Sequence, residues 1–269
     1  MQPLDYHRQT VLVTGASAGI GAEFARRLAE RGANVVLVAR RLERLEALAA
    51  ELSGRYHIEA TSLALDLTTP GVGAALEAEL SRRGLEITSI VNNAGFATLG
   101  PFHREDPARL AAEIAVDVTS VVDISRTFIE RLRRGDGFLV NVASMAAYQG
   151  NPTMAVYGAT KAFVLNFTEA LWYESRGTGL RVLALSPGAT ETEFFDVAGA
   201  QADGGTRRMT AADVVRTAFA ALDRRNPPPS VIVGRSNRAA AAAVRFVGRR
   251  RATMMVGGMM RGAADPSAS

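Results

Sequence analysis

Two hydrophobic patterns alternate along this chain from end to end. Short apolar runs rich in β-branched residues predict buried strands, and longer segments with apolar residues every three or four positions predict amphipathic helices. We predict strands at 10–14, 34–38, 58–65, 88–91, 138–142, 180–186 and 230–234. Helices are predicted at about 20–31, 71–83, 107–133 and over the segment around Tyr157. This alternation predicts an α/β fold, a doubly wound parallel sheet of about seven strands with helices on both faces.

The composition does not divide the chain into separate units. No linker-like change occurs, so we predict a single domain over residues 1–236. Residues 237–269 form an Arg- and Met-rich tail, predicted to be partly helical and not a separate domain. The tail could cover a pocket, pack on a second subunit or rest on an anionic membrane surface.

A glycine-rich turn, GASAGIG, directly follows the first strand and opens the first helix. This context is what a dinucleotide-binding loop requires, because glycines permit a tight turn and the helix N-terminus offers N–H groups to a pyrophosphate. We predict cofactor contacts from the loop residues Gly15, Ser17, Ala18, Gly19, Ile20 and Gly21.

The end of the second strand distinguishes the two nicotinamide cofactors. An acidic residue there would bind the ribose 2′-hydroxyl, whereas an arginine accommodates a 2′-phosphate. The chain has Ala39-Arg40-Arg41 at this place, so Arg40 is predicted to bind phosphate and NADP(H) is preferred over NAD(H). The alternative is that both arginines merely begin the next, charge-rich helix.

Small or polar residues follow the other strands. Asp66 follows the third strand, Asn93 lies in NNAG after the fourth, and Ser144 and Thr190 follow the fifth and sixth. Strand carboxyl ends form the ligand crevice of an open α/β sheet, although NNAG alone is also a plausible turn.

One helix carries a tyrosine and a lysine four positions apart, Tyr157 and Lys161. Of the 31 basic residues 30 are arginines, so Lys161 is the one lysine. A composition so tilted to arginine keeps lysine where the amine itself is needed. Residues at this spacing share a helix face, and a cation near a phenol lowers its pKa by favouring the phenolate. Taken alone, the pair could simply cover a helix surface.

Taken together, these motifs resemble the short-chain dehydrogenase/reductase family. The markers are TGASAGIG (14–21), NNAG (92–95), Ser144, YGATK (157–161) and PGATET (187–192). The resemblance implies a Rossmann-type fold, reduction of a ketone or aldehyde by hydride transfer or the reverse, and a homodimer or homotetramer. It implies that Tyr157 is the general acid or base, that Lys161 lowers its pKa and holds the nicotinamide ribose, and that Ser144 binds the substrate oxygen. It further implies that the glycine loop lines the pyrophosphate, Asp66 the adenine, Asn93 the adenosine side and Thr190 the nicotinamide carboxamide.

One position departs from the family pattern. The family commonly has an asparagine in the long helix before the fifth strand, where it helps to hold a water in a proton relay with the lysine; this chain has Asp117. An aspartate would favour the charged lysine and weaken its pull on Tyr157, so we expect a relay with a shifted pH optimum. The alternative is that Asp117 points into solvent.

Composition excludes several classes of function. The sequence has no cysteine and three scattered histidines, so neither disulfides nor a metal site is expected. The net charge of +4 is spread out, whereas nucleic-acid binding needs a clustered basic face. The first residues, MQPLDYHRQT, hold no apolar stretch of a secretory signal, and we expect a cytoplasmic protein.

The residues around the predicted site favour an apolar carbonyl or alcohol substrate, because they are mostly apolar. The segment 189–209 could be a lid or an ordinary surface loop. The alternative to an enzyme is a redox-inactive NADP(H)-binding sensor or scaffold of the same fold.

Overall fold

Seven parallel strands form one sheet, in the order β3-β2-β1-β4-β5-β6-β7, within residues 3–203, 205–244 and 246–264, which the computed structural model describes. The strands are β1 Thr10–Thr14, β2 Asn34–Ala39, β3 Ala60–Ala64, β4 Ser89–Asn92, β5 Phe138–Val142, β6 Arg181–Ser186 and β7 Ser230–Ile232. Every predicted strand is present, and its ends lie within two residues of the prediction. The predicted Rossmann-type fold is confirmed.

The order of the strands reverses between β1 and β4. In the register of the sheet, Leu12 of β1 lies between Val36 of β2 and Ile90 of β4. An open α/β sheet leaves a crevice at the carboxyl ends of its strands at such a reversal. The loops after β1 and β4 therefore meet at the position where a ligand would bind.

Helices cover both faces of the sheet. They are α1 Gly19–Glu30, α2 Leu42–Tyr56, α3 Val72–Arg82, α4 Pro107–Ile114, α5 Ser120–Arg134, α6 Ala155–Glu174, α7 Phe194–Ala198, α8 Ala211–Leu222, α9 Arg235–Val244 and α10 Arg249–Ala264. Alternate residues of β1 enter different cores: Val11 and Val13 pack with α1, α2 and α8, while Leu12 packs with α3 and α5. Both faces of the central strands are buried, so these strands are mostly apolar rather than alternating, whereas the edge strands β3 and β7 are less buried.

The long helix predicted at 107–133 is interrupted. A π turn, Ala115–Thr119, separates α4 from α5, and Asp117 lies at its centre. A π turn lengthens the helical hydrogen bonds by one residue and is frequent at functional sites. The sequence pattern did not reveal it, because the shift changes backbone bonding without requiring a particular side chain.

The tail contains two helices, α9 and α10. Helix α9 begins at Arg235, so the boundary predicted after residue 236 lies inside it. Helix α10 lies against the loop before α6: Thr253 is next to Gly150, and Gly257 next to Pro152. In the described part of the chain, no helix combines the length and the apolar character needed to cross a membrane.

Candidate active site

A cavity of about 1010 Å³ lies along the carboxyl edge of the sheet. Loops that follow β1 to β6 line it, and α9 and α10 close one side. The predicted site residues on its wall are Gly15, Ser17, Ala18, Gly19, Ile20, Arg40, Asp66, Asn93, Ser144, Tyr157, Lys161 and Thr190. Gly21 and Asp117 lie behind this wall.

The glycine loop is fixed by its neighbour after β4. Gly15 and Gly19 have φ angles of 65° and 55°, in the left-handed region that favours glycine. A Cβ at Gly15 would lie 2.9 Å from the Cα of Ala94. The Asn93 side chain donates from Nδ2 to the Thr14 carbonyl oxygen at 3.0 Å, and the Thr14 hydroxyl accepts the Asn93 N–H at 2.9 Å. Asn93 therefore holds the glycine loop in place through hydrogen bonds to Thr14.

The first turn of α1 begins without a side-chain cap. Ala18 precedes the helix and supplies no side-chain cap, so its first N–H groups have no capping partner from that residue. Gly21 packs against the Gly15 carbonyl, leaving no room for a side chain between turn and helix. Together these features fit an anionic group at the helix N-terminus.

Charged residues cluster where β2 ends. Arg40 is exposed and lines the cavity. Arg41 donates from Nη2 to the Ser17 hydroxyl at 3.0 Å and from Nη1 to Glu193 at 2.8 Å, and Arg44 also pairs with Glu193. Neither Arg41 nor Glu193 was predicted as a site residue, and Glu193 is 152 residues distant from Arg41 along the chain.

Asp66 lies after β3 on the same side. Its Oδ1 accepts hydrogen bonds from the Thr68 N–H at 3.0 Å and the Thr68 hydroxyl at 2.9 Å. These bonds, with a weaker contribution from Arg40, hold the pKa of Asp66 below its ordinary value. The carboxylate is therefore ionised and ordered at neutral pH.

Tyr157 and Lys161 are buried side chains on the wall of the cavity, with 9% and 5% of their surface exposed. The Lys161 Nζ lies 5.6 Å from the centre of the Tyr157 ring and donates to the Val142 carbonyl at 3.2 Å. Burial raises the pKa of the Tyr157 phenol, while Lys161 and a hydrogen bond with Ser144 partly offset this rise. The structure thus brings together the three residues that the sequence motifs singled out.

Asp117 does not point into solvent. It is completely buried, and its Oδ2 lies 3.1 Å from the Lys161 Nζ. Its Oδ1 accepts the Phe96 N–H at 3.1 Å, and a Cβ at Gly95 would lie 3.0 Å from both Oδ1 and the Lys161 Nζ. Burial, the largest single influence, lowers the pKa of Lys161, but the combined attraction of Asp117, Tyr157 and Glu113 outweighs burial, so the pKa of Lys161 is raised.

A second buried carboxyl, Glu113, lies one helical turn before Asp117. Its Oε2 accepts hydrogen bonds from the Thr98 N–H at 3.1 Å and the Thr98 hydroxyl at 2.8 Å. Burial raises the pKa of Glu113 to about 7. Glu113 was not predicted as a site residue, because a glutamate in a helix normally lies on a solvated face.

Apolar side chains form the rest of the cavity wall. The Phe194 ring centre lies 5.5 Å from that of Tyr157, and Met154, Ala97 and Met260 pack around them. The tail contributes Met255, Val256 and Met259 as well. The site is therefore apolar on the side away from the glycine loop.

Two threonines follow β6. The Thr190 hydroxyl donates to the Gly188 carbonyl at 2.9 Å. A Cβ at Gly19 would lie 2.8 Å from the Thr192 methyl group, which places Thr192 against the glycine loop. Both residues line the cavity, although the sequence analysis named only Thr190.

Similarity to known proteins shows the family of this chain. The model of the family described as short chain dehydrogenase matches residues 9–203. The chain belongs to the short-chain dehydrogenase family. It is therefore an oxidoreductase, and the resemblance inferred from the motifs is confirmed.

Relatives of this short-chain dehydrogenase act on different substrates. It is 39% identical to the sulfoacetaldehyde reductase of Chromohalobacter salexigens over 220 residues, 78% of this chain and 86% of that protein. It is 35% identical to the serine 3-dehydrogenase of Agrobacterium fabrum over 219 residues, again 78% and 86%. A solved short-chain dehydrogenase from Sphingobium yanoikuyae, in complex with NADPH, is 34% identical with a TM-score of 0.78, covering 92% of this chain and 95% of its own.

The chemistry that the arrangement permits is proton transfer at a polarised oxygen. The Tyr157 hydroxyl and the Ser144 hydroxyl face the same cavity, and Lys161 supplies a buried positive charge behind them. In the part of the chain that the structure describes, no group of His, Cys, Asp or Glu could hold a metal ion.

Proposed function

We propose that this short-chain dehydrogenase reduces a ketone or aldehyde to an alcohol with NADPH, or catalyses the reverse reaction. The observation that carries the proposal is the buried group of Tyr157, Lys161 and Ser144 at the cavity wall beside the glycine loop. A phenol supported by an ammonium and beside a second hydroxyl is suited to general acid/base work on a carbonyl or alcohol oxygen.

The residues present fit a nicotinamide dinucleotide. The glycine loop leaves space that a Cβ would fill, and the uncapped start of α1 suits a pyrophosphate. Gly15, Ser17, Ala18, Gly19, Ile20 and Gly21 would hold the pyrophosphate, Asp66 the adenine, Asn93 the adenosine side, and Thr190 the nicotinamide carboxamide. When bound, NADPH supplies the hydride that the carbonyl carbon receives.

The protein's own residues handle the substrate oxygen and its proton. In reduction, the Ser144 hydroxyl donates a hydrogen bond to the carbonyl oxygen and the Tyr157 hydroxyl gives that oxygen its proton. Lys161 stabilises the resulting phenolate and holds the nicotinamide ribose. Asp117 keeps Lys161 charged and in place through the 3.1 Å ion pair.

A preference for NADPH over NADH is part of the proposal. Arg40 and Arg41 lie where β2 ends, no acidic residue follows that strand directly, and Ser17 accepts a hydrogen bond from Arg41. Guanidinium groups form strong charge-assisted bonds with a phosphate. We expect Arg41→Ala to weaken NADPH binding by roughly tenfold and NADH binding far less, measured by calorimetric titration.

An apolar ketone is the substrate class that the cavity favours. Phe194, Met154 and Met260 surround Tyr157, and the tail supplies further methionines. A small charged aldehyde would leave much of this apolar wall exposed to water. Removing residues 249–269 is expected to raise KM for bulky ketones more than it changes kcat, because the deletion removes part of the apolar wall, including Met260, but leaves Tyr157, Lys161 and Ser144 in the chain. An equal effect on small polar aldehydes would contradict this substrate class.

The test is oxidation of NADPH, with NADH in parallel, across bulky apolar ketones, sulfoacetaldehyde and the serine oxidation product. Tyr157→Phe should abolish turnover while leaving NADPH binding intact. Tyr173→Phe is a matched control, since Tyr173 lies on the same helix α6 but is exposed to solvent. Turnover that survives in Tyr157→Phe would overturn the proposed role of the phenol.

A redox-inactive NADP(H)-binding sensor is the second candidate. One observation favours it: Asp117 partly cancels the charge of Lys161, and the pKa of Tyr157 is raised rather than lowered, chiefly by burial. Tight NADPH binding without turnover of any substrate in the panel would support this candidate.

A homodimer or homotetramer is the proposed assembly. The exposed apolar residues Phe102, Ile114 and Phe163 surround a shallow groove between α4 and α6. A contiguous apolar patch of this kind is typical of protein interfaces. Light scattering after size exclusion should give two or four chains per particle, and Phe163→Glu should lower that number.

A further inference from the structure

Glu113 is a buried acid that the proposed reaction does not use. It belongs to α4, none of its surface is exposed, and α4 packs against the helix that carries Lys161. Its Oε2 accepts both hydrogen bonds from Thr98, whereas its Oε1 has no hydrogen-bond partner among the described residues.

Glu113 and Asp117 both accept backbone hydrogen bonds from the loop after β4, at two residues separated by one. Asp117 accepts the N–H of Phe96 and Glu113 accepts the N–H of Thr98. Ala97, between these two, packs in the same cluster as Tyr157. The two carboxyl groups therefore position the wall of the cavity beside the phenol.

The surroundings of Glu113 oppose a negative charge. The charged or titratable groups that act on it are Asp117 from the π turn, and Lys161 and Tyr157 from α6. Lys161 is already paired with Asp117 at 3.1 Å, so it can compensate only one carboxylate well. A buried carboxylate without its own cation is costly, and such a group keeps its proton instead. The raised pKa of Glu113, about 7, has burial as its main cause and Asp117 as a further one, while the Thr98 bonds oppose the rise.

We propose that Glu113 is a positioning residue for Tyr157: as an uncharged acid it holds the loop through Thr98, and when ionised it disfavours the phenolate. The inference rests on the proposed acid/base role of Tyr157. Glu113 releases its proton to solvent as pH rises and takes no part in transfer to the substrate. Its ionisation near neutral pH adds a negative charge behind the phenol, which favours the acid form of Tyr157 and hence reduction over alcohol oxidation.

The test compares wild type with Glu113→Gln, which keeps an oxygen for the Thr98 N–H but cannot ionise. In alcohol oxidation the base is the phenolate, and we expect the apparent pKa in kcat/KM to fall by roughly one unit in the variant. A residue that only supported the loop would change the rate but not this pKa. An unchanged apparent pKa in a folded variant would overturn the proposal.

Two measurements do not need turnover. Ultraviolet titration of tyrosinate, with Tyr157→Phe subtracted, should show the same fall in the phenol pKa in Glu113→Gln. Infrared spectra of wild type should show a protonated carboxyl band that disappears as pH rises through about 7. If Glu113→Gln does not fold, the infrared titration of wild type tests the proposal instead. A Glu113 carboxyl that is already ionised at a pH of about 5.5 would contradict the proposal.

These readouts separate the two failures. The proposed function would be overturned if no substrate were turned over, or if turnover survived in Tyr157→Phe. The ultraviolet and infrared titrations would still report on Glu113 in that case. Normal turnover with identical pH profiles in wild type and Glu113→Gln would overturn the inference alone.

Discussion

Lys161 has two buried partners that use its positive charge in different ways. Asp117, at 3.1 Å, favours the charged ammonium, and Tyr157 needs that charge in order to lose its proton. An ion pair in a protein interior has little net charge when seen from a third group. The lysine is thus well anchored, and a weaker effect of Lys161 on the phenol, expected from an aspartate at this position, stays a prediction.

Replacing Asp117 with asparagine should reverse this balance. The amide oxygen of the new side chain could still accept the Phe96 N–H, and the charge of Lys161 would act on Tyr157 without the opposing charge of Asp117. We expect the apparent pKa for alcohol oxidation to fall by about one to two units in Asp117→Asn. The pH profile of kcat/KM measures the shift, and a profile equal to wild type would contradict it. Because the change leaves a buried cation unpaired, we also expect a loss of about 3 kcal/mol in stability, measured by denaturant unfolding.

Glu113 should make stability depend on pH in a defined direction. Its pKa is about 7 in the folded chain against an ordinary value of 4.5. The unfolded chain therefore loses this proton first, and the stabilisation is complete below about pH 4.5 and is lost as pH rises through 7. At about 1.4 kcal/mol for each pKa unit, the loss is on the order of 3 kcal/mol. Denaturant unfolding at about pH 5 and pH 8 should show this loss in wild type but not in Glu113→Gln.

The motif residues could be predicted from the sequence because chain spacing fixes their positions. Tyr157 and Lys161 share a helix face, and the glycines follow a strand directly. Glu113 and Glu193 could not be predicted, since their hydrogen-bond partners lie 15 and 152 residues away along the chain. Burial is a property of the assembled fold, and no local pattern distinguishes a buried glutamate from an exposed one.

Among the elements, the segment after β6 connects two parts of the site. Its ends are paired, since the Glu191 N–H donates to the Met209 carbonyl and the Met209 N–H to the Ala189 carbonyl. Between them lies α7, which places Phe194 against Tyr157, while Glu193 reaches Arg41 and Arg44. One short segment thus contacts both the phenol and the arginines that we propose for the 2′-phosphate.

Glu193 should compete with a phosphate for those arginines. In Glu193→Gln both guanidinium groups lose their ion pair with this side chain, and we expect NADPH to bind up to about fivefold more tightly, since exposed ion pairs contribute at most about 1 kcal/mol. NADH binding should not change, and the gain should vanish at high salt. Glu191→Gln is the matched control, because Glu191 lies in the same segment and is exposed. Equal gains for both cofactors would contradict competition at the phosphate.

At the scale of the whole molecule, the cavity joins the two halves of the sheet. Residues after β1, β2 and β3 line one end, and residues after β4, β5 and β6 line the other. Alternating strands and helices predicted this architecture, because right-handed crossovers leave few ways to assemble such a chain. The contact of α10 with the cavity was left open among three alternatives, because an amphipathic tail does not specify which surface it covers.

Ligand binding across both halves should stabilise the molecule as a unit. A ligand that binds only the folded chain adds about 4 kcal/mol at a concentration a thousand times its Kd. We therefore expect the Tm to rise by several degrees with saturating NADPH and less with NADH at the same concentration. Differential scanning calorimetry measures both shifts, and a larger shift with NADH would contradict the proposed cofactor preference.

Chemical modification of the lysine offers an independent measurement of whether the cavity is correctly formed. The chain has one lysine, Lys161, and only 5% of its surface is exposed. Because this side chain is buried and paired with Asp117, an amine-reactive ester should modify it slowly in the folded chain, so its rate of modification reports local opening, as amide exchange does for the backbone. In intact molecules the Lys161 side chain would resist the reagent, and in damaged molecules that side chain would be modified. The residue at the centre of the site can therefore also serve as a gauge of how many molecules in a preparation are correctly assembled.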